Sequence, residues 1–422
     1  MTTKKYFRIL SFALIVSSTL MIVANNVPYI GSFRWLWGPL SLLSFIVVYP
    51  KIITHIMSKS TLLYGVIFAG VLQYLLWDFA SDWYKETVLE DFYNLVIFVW
   101  LVVYFITARE FVFWGRLAKW GLFFFMITAI MTLVATQIAP TIVRESYSGG
   151  KDSFEGFQAL QNLGFGSYGF SISLVALIPA LIFFIKSKSK TFISKKLLWV
   201  FLGLVLITLI QMQIFANILI ALLMIVLSFV NSKSRKMTFF FTTGSLLIFS
   251  LIPTTTYADL LTNVSSLFSK DSNVYYKMND LANYLVSSNT GTGVESRIER
   301  YPGLISALLE QPFLGDASYD SRFQKEMTAG AHLFWMSRLA LWGVFGFIGY
   351  LLILKNVFKP LLSFFDKDFR YFYSLSLTSV IFLGLIKSLT PREPYVMLLI
   401  IIPGLYFLTK TKLIMKKKPL NK

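Results

Sequence analysis

Long uncharged stretches of apolar residues recur along the whole sequence, and they restrict its possible folds more than any other feature. In lipid, only helices and closed barrels satisfy all of their own backbone hydrogen bonds. The sequence therefore predicts an all-α polytopic membrane protein with about 12 transmembrane helices, since a helix needs about 20 mainly apolar residues to cross a bilayer. The predicted spans are residues 7–24, 35–49, 62–77, 92–106, 117–138, 166–185, 197–212, 214–230, 238–257, 333–354, 371–387 and 395–409.

The number of spans depends on how residues 197–230 are divided, because this stretch is too long for one crossing. The polar side chains of Gln211, Gln213 and Asn217 interrupt it and form a natural breakpoint. A single strongly tilted helix would remove one span and place the C-terminus on the opposite side of the membrane from the N-terminus.

The distribution of lysine and arginine favours the higher count. The net charge is +18, and with a cytoplasmic N-terminus every second connection is rich in Lys or Arg. Positively charged loops remain in the cytoplasm, so both termini are predicted to be cytoplasmic. In a membrane protein such loops face anionic lipid, and we expect no nucleic-acid partner. The basic segments are residues 51–59, 109–119, 186–196, 233–236, 355–370 and 410–422, whereas the opposite loop at 78–91 is acidic.

The scarcity of soft ligands limits the chemistry. Cysteine is absent, so disulfides and thiolate metal sites are excluded. The sequence contains 2 histidines, His55 and His332, and no Asp-x-Asp pattern in the large loop described below. We therefore expect a metal-independent reaction and no cofactor.

Charged residues cluster at the ends of the apolar stretches, and the sequence predicts almost none at mid-membrane depth. Ionisable groups at that depth usually mark ion or proton pathways. The polar break at 211–217 has no counterpart elsewhere, whereas transporters usually contain paired interrupted helices. This pattern favours an enzyme over a transporter.

The chain divides into residues 1–254 with nine spans, a large outward-facing loop at 255–332, and residues 333–422 with three spans and a basic tail. Loops of this length usually carry function or are disordered. This loop contains regularly spaced Leu and Tyr residues, which predict helices at 280–286 and 302–309. Since a proline disfavours helical conformation in the residue before it, Arg297 and Arg300 are expected to precede the second helix.

Four motifs follow one another in the second half of this loop and at the start of the next span. They are Ser-Arg-Ile-Glu-Arg-Tyr-Pro-Gly at 296–303, Gln-Pro-Phe-Leu-Gly at 311–315, His-Leu-Phe at 332–334 and Leu-Trp-Gly-Val-Phe-Gly at 341–346. Their order resembles that in the O-antigen polymerase and O-antigen ligase superfamily. Members of that family place an arginine-led helix, a turn, a histidine and a glycine-containing helix start around one large periplasmic loop. The resemblance implies a GT-C-like helix bundle in the bacterial inner membrane.

The chain departs from the family pattern at two positions. Leu333 follows the loop histidine, where family members often have asparagine. Many members carry a Ser-Arg pair near the start of the eighth span, whereas residues 211–217 contain no arginine. Arg144, in the loop after the fifth span, is therefore our candidate for the second basic residue.

The resemblance assigns the catalytic roles to His332 and Arg297. An arginine is suited to the leaving diphosphate, because it is permanently charged and contacts phosphate oxygens bidentately. A neutral histidine is suited to removing a proton from the acceptor hydroxyl. The alternative is that His332 is an interfacial residue and that the outer arginines pair with lipid headgroups. The substrate-binding candidates are Arg144, Arg300, Tyr301, Arg322 and Arg338.

The resemblance implies a surface-polysaccharide polymerase. It would transfer a growing glycan from undecaprenyl diphosphate to another lipid-linked repeat unit. The expected partners are this undecaprenyl-diphosphate-linked oligosaccharide, membrane lipids and a chain-length regulator protein. Two alternatives are an O-antigen ligase, which passes the glycan to the lipid A core, and a non-enzymatic transporter or flippase of lipid-linked sugars.

Overall fold

Every secondary-structure element in the described part of the computed structural model is a helix. Apart from a few isolated positions, the structure describes residues 3–26, 79–139, 162–187, 191–229, 254–268, 273–287, 300–317, 333–387 and 392–414. The spans predicted at 35–49 and 62–77, and most of the span at 238–257, lie outside the described residues.

The helices are named here in chain order, with a π-helical segment at Val396–Ile401. They are α1 (Thr3–Thr19), α2 (Met21–Asn26), α3 (Asp82–Thr107), α4 (Phe111–Ile138), α5 (Tyr168–Lys186), α6 (Lys195–Gln211), α7 (Phe215–Phe229), α8 (Thr254–Ser265), α9 (Asn273–Ser287), α10 (Arg300–Glu310), α11 (Phe334–Phe364), α12 (Lys367–Ile386), α13 (Arg392–Tyr395) and α14 (Ile402–Ile414).

Among the described residues, 5 helices are long and apolar enough to cross a membrane. The shorter α7 is also strongly apolar. These helices confirm a helical membrane protein, while the count of about 12 spans stays a prediction. The long helices are Phe111–Ile138, Tyr168–Lys186, Phe334–Phe364, Lys367–Ile386 and Arg392–Lys410.

The polar breakpoint predicted near Gln213 separates two helices, α6 and α7. Asn217 at the start of α7 donates to Ser171 at the start of α5, with Nδ2–Oγ 2.6 Å. Lys186 at the end of α5 donates to the carbonyl of Ser228 at the end of α7, with Nζ–O 2.9 Å. Therefore α7 runs parallel to α5, and α6, which connects them, runs in the opposite direction. The prediction of two helices here is confirmed.

Two ion pairs mark one end of the bundle, which we call the basic end. Arg8 of α1 contacts Glu110, just before α4, at 3.3 Å. Lys410 of α14 contacts Asp366, just before α12, at 3.5 Å. Because α4 packs antiparallel to α14, the starts of α1 and α4 and the end of α14 lie together.

At the opposite end, which we call the loop end, α3 begins and α12 ends. The backbone N–H of Ser81 donates to the carbonyl of Ala317, with N–O 2.9 Å. The hydroxyl of Tyr301 on α10 donates to the carbonyl of Leu385 near the end of α12, with O–O 2.9 Å. These contacts hold the described second half of the large loop against the bundle.

Three helix starts differ from the sequence-based expectation. The acidic loop predicted at 78–91 is mostly helical, because Ser81 caps α3 by accepting from the N–H of Tyr84. The basic loop predicted at 109–119 is largely the first part of α4. Arg300 is the first residue of α10 rather than a residue preceding it. A proline is tolerated in a first helical turn, where its missing N–H would have no partner, so Pro302 lies within α10.

Candidate functional site

The Leu-Trp-Gly motif in the tenth predicted span forms a break in α11. Gly343 has φ 62° and ψ −177°, which no α-helix contains. The backbone N–H groups that follow the break donate to the large loop: Val344 to the carbonyl of Pro312 (2.8 Å) and Phe345 to that of Phe313 (3.3 Å). Within a bilayer such groups must find protein partners, and here the loop provides them.

The loop and the broken helix approach so closely that both contact positions require glycine. A Cβ on Gly343 would lie 2.4 Å from the carbonyl carbon and oxygen of Phe313. A Cβ on Gly315, where φ is 77°, would lie 2.2 Å from the carbonyl oxygen of Leu341. We call residues 312–316 and 340–345 the glycine crossing. Two motifs that are separate in the sequence are therefore one structural unit.

Helix α10 lies beside the glycine crossing and shows two faces. Leu304 and Ala307 are buried, with exposures of 1% and 4%. Ile305 and Leu309 are exposed, at 44% and 72%. A helix that buries one face on protein and exposes apolar residues on another is suited to the membrane surface.

The start of α11 is held on the end of α12. The N–H of Phe334 donates to the carbonyl of Lys387, with N–O 3.0 Å. The indole N–H of Trp335 donates to the carbonyl of Ile381, also with N–O 3.0 Å. Leu333, immediately before α11, has a left-handed backbone with φ 62°. These contacts place the chain that enters α11 beside the end of α12.

A buried ion pair joins α3 to α11. The guanidinium Nε of Arg338 donates to Oδ2 of Asp91, and the two residues are 8% and 1% exposed. The guanidinium carbon also lies 4.7 Å from the ring centre of Phe334 and 5.8 Å from that of Trp342. Arginine tolerates such an environment because its planar cation both hydrogen-bonds and packs on aromatic rings.

Two tyrosines extend this cluster towards the π-helical segment. The ring of Trp342 lies 5.1 Å from that of Tyr350, whose hydroxyl is hydrogen-bonded to the hydroxyl of Tyr395. Tyr395 is close enough to Asp91 and Arg338 to interact with both charges. We call these five residues, together with Phe334, the buried polar cluster.

A second group of charged residues lies beside it. Glu393, 5% exposed, accepts a hydrogen bond from Ser167, the N-cap of α5, with Oε1–Oγ 3.0 Å. Arg392 donates to the backbone carbonyl of Ser17. The ammonium of Lys387, a residue that is 8% exposed, lies 5.6 Å from the ring centre of Tyr168. Charges and aromatic rings therefore alternate at the loop end, an arrangement that is suited to anionic and sugar groups.

Charged residues are nevertheless buried in the described part of the bundle, whereas the expectation of almost no charge at mid-membrane depth stays a prediction. Asp91, Arg338 and Glu393 are all buried in the bundle. When hydropathy is averaged over a window, a charged residue such as Asp91 is assigned to the boundary of a span. In the structure, α3 begins nine residues before Asp91, so this residue lies inside the helix. In the sequence, a single charged residue next to an apolar stretch could have indicated a buried charge. Only the packing of the helices shows which of these charged residues face protein.

The structure places some of the predicted site residues and leaves others outside its described part. Tyr301 and Arg338 both lie at the loop end, and Arg300 begins α10. The role of every predicted site residue stays a prediction. His332, Arg297, Arg144 and Arg322 lie outside the described residues.

Tyr84 lies near the start of α3, at the loop end. Its side chain is buried, and it lies close to Asp316 of the glycine crossing. Burial, and secondarily the negative charge of Asp316, raise the pKa of the Tyr84 hydroxyl to about 12.

Throughout the part of the chain that the structure describes, no cluster of three or more His, Asp or Glu side chains is arranged to hold a metal ion.

Comparison with known proteins adds no further assignment. No family model matches the chain, and no curated protein is significantly similar to it. The motifs and the geometry of the loop end are therefore the features that indicate a function.

Proposed function

We propose that this protein is a surface-polysaccharide polymerase of the O-antigen type in the bacterial inner membrane. It transfers a growing glycan from undecaprenyl diphosphate to the terminal sugar of another lipid-linked repeat unit. The basic end faces the cytoplasm and the loop end faces the periplasm, in keeping with the position of the lysines and arginines. The bundle of apolar helices supports a membrane-embedded enzyme for a lipid-linked donor.

One observation carries the proposal: α10 and the start of α11 are both anchored on the end of α12. Tyr301 contacts Leu385, and Phe334 contacts Lys387 two residues further along. In the sequence, Arg297 is three residues before the start of α10, and His332 is next to Leu333. Since three residues span at most about 10 Å, the anchoring of both helices supports a shared site for the two proposed catalytic residues.

The proposed reaction is one displacement. The acceptor hydroxyl oxygen forms a bond to the anomeric carbon of the donor glycan while the bond from that carbon to the diphosphate oxygen breaks. His332 takes the hydroxyl proton, and undecaprenyl diphosphate leaves with its negative charge increased. Arg297 and a second arginine, for which Arg144 is the candidate, stabilise that charge. This reaction needs no metal ion.

The remaining candidates have supporting roles in the proposal. Arg300, Arg322 and Tyr301 bind the glycan or the diphosphate. Arg338 would have to release Asp91 to reach a phosphate, and separating this buried carboxylate from its guanidinium is costly. In this proposal Arg338 therefore supports substrate binding by holding the start of α11 against α3.

The test is the surface-glycan ladder of cells that carry His332→Ala or Arg297→Ala. Loss of the ladder with single repeats attached to the core would support the polymerase. The matched controls are His55→Ala and Arg235→Ala, which alter residues predicted to be cytoplasmic and should leave the ladder intact. A normal ladder from both site variants would refute the site, and unattached polymer would indicate a ligase instead.

The transporter of lipid-linked sugars is the second candidate, because the buried charges of Asp91, Arg338 and Glu393 are of the kind that transport pathways use. Reconstituted protein with a fluorescent lipid-linked repeat unit separates the two functions. Polymerisation without faster movement of the lipid across the bilayer supports the enzyme. Movement without polymer supports the transporter.

Chelation of divalent cations should not change the polymerisation rate.

A further inference from the structure

A cavity at the basic end is unrelated to the site at the loop end. It has a volume of about 520 Å³ and opens between α4, the start of α6 and the segment that connects α5 to α6. The apolar part of its wall includes Trp120, Phe192, Leu197 and Phe201. Cavities of about 300 to 1,000 Å³ are typical of small-molecule sites.

Its aromatic wall is ordered by ring contacts on α4 and remains partly exposed. The ring of Trp120 stacks on that of Phe124, with centres 5.9 Å apart, and meets Phe123 edge-on at 6.4 Å. Trp120 is nevertheless 53% exposed and Phe123 50% exposed. The surface that remains exposed is apolar, so it is suited to a hydrocarbon chain rather than to water.

The charged residues of the wall are all basic. Arg116 and Lys119 lie three residues apart on α4, so they project from the same face of the helix. Neither forms an ion pair with any residue in the described part of the chain, and no carboxylate lines the cavity. Arg116 is five residues from the start of α4, about 8 Å along the helix, which is headgroup depth for a long basic side chain.

We propose that this cavity binds one phospholipid with an anionic headgroup. An acyl chain lies against Trp120 and Phe201, and the phosphate accepts hydrogen bonds from Arg116 and Lys119. Basic pockets between membrane helices take anionic lipids by this combination of a charged rim and an apolar interior. A zwitterionic lipid fits less well, because its own cation would lie next to two further positive charges.

The test uses the full-length protein in phosphatidylcholine nanodiscs that contain a minor fraction of a lipid with brominated acyl chains. Bromine quenches the fluorescence of a tryptophan that it contacts, and the difference between wild type and Trp120→Phe isolates the signal of Trp120. Brominated phosphatidylglycerol is compared with brominated phosphatidylcholine at equal fractions. We expect binding of the anionic lipid to be favoured about 25-fold, since each basic residue contributes about fivefold.

Variants identify the residues responsible. Arg116→Gln with Lys119→Gln should remove the preference for the anionic lipid. The matched control is Lys355→Gln with Lys359→Gln, a pair of exposed lysines in the half of α11 that leads to the basic end. Equal quenching by the two lipids in the wild type would overturn the proposal. A preference that survives the first double variant, or that the control also loses, would do the same.

Discussion

The ion pair between Asp91 and Arg338 gives the sharpest test of how the loop end is held together. Arg338→Met keeps an apolar chain of similar length but removes the cation, so a carboxylate that is 1% exposed loses its ion pair with the guanidinium. Breaking a buried pair from one side typically costs about 3–5 kcal/mol of unfolding free energy. The methionine side chain can still pack on the rings of Phe334 and Trp342, so the loss of the cation is the main change.

The second single variant and the double variant complete a thermodynamic cycle. Asp91→Leu leaves a guanidinium that is 8% exposed without its carboxylate, and a similar loss is expected. The double variant replaces both charges by apolar side chains of similar size, and such replacements are often neutral or stabilising. Its stability should therefore lie near that of the wild type, so the coupling energy between the two sites is at least about 3 kcal/mol.

The assay is unfolding of the purified protein in mixed micelles of mild detergent and SDS, followed by tryptophan fluorescence. The order of midpoints should be wild type and double variant together, then both single variants well below them. Lys359→Met, at an exposed position of α11, is the matched control and should change little. If the losses of the single variants simply add in the double variant, Asp91 and Arg338 are not energetically coupled, which contradicts a buried ion pair.

Three other perturbations test separate parts of the structure. Gly343→Ala should lower the unfolding free energy by about 2–4 kcal/mol in the same assay, because φ is positive at this position and the new Cβ would meet the loop backbone. The control is Gly203→Ala, which has open space around its Cβ and should be neutral or slightly stabilising. Equal effects of the two variants would contradict the glycine crossing. Tyr301→Phe should lose about 1 kcal/mol of α10 docking, seen as faster amide exchange in α10, and unchanged exchange would argue against the bond to Leu385. Burial raises the pKa of Tyr84 to about 12, above the value of 10.0 in an unfolded chain, so the stability of the protein should fall as the pH rises from 10 to 12. Tyr84→Phe should lose less stability over that range, and identical pH profiles of variant and wild type would refute this prediction.

The glycine crossing has a consequence for the proposed enzyme. It connects the segment that follows α10 to the break in α11, so the end of α10 has a defined position on the bundle. Groups that act together in catalysis must be held to within a fraction of an ångström. A rigid crossing near the proposed positions of Arg297 and His332 would provide that support.

Part of the candidate site could be predicted from single residues and part could not. Tyr301 was predicted from its place in the arginine-led motif, and the structure puts it at the loop end. Asp91, Lys387 and Glu393 were not predicted, because each lies next to the end of an apolar stretch, where a charged residue usually faces water or headgroups. Whether such a residue faces solvent or a neighbouring helix depends on contacts between elements that are far apart in the chain.

The amino-acid pattern alone was sufficient to predict a helical membrane protein and the division between α6 and α7. Those properties depend on the length and polarity of local stretches, because the bilayer accepts only apolar helices of sufficient length. Three features could be recognised only in the folded chain: Asp91 pairs with Arg338, Gly315 and Gly343 form one crossing, and α3 extends past its apolar stretch. These features depend on close approach between segments that are distant in the chain. Burying a charge or a free N–H is unfavourable, and only a partner from elsewhere in the chain offsets that cost.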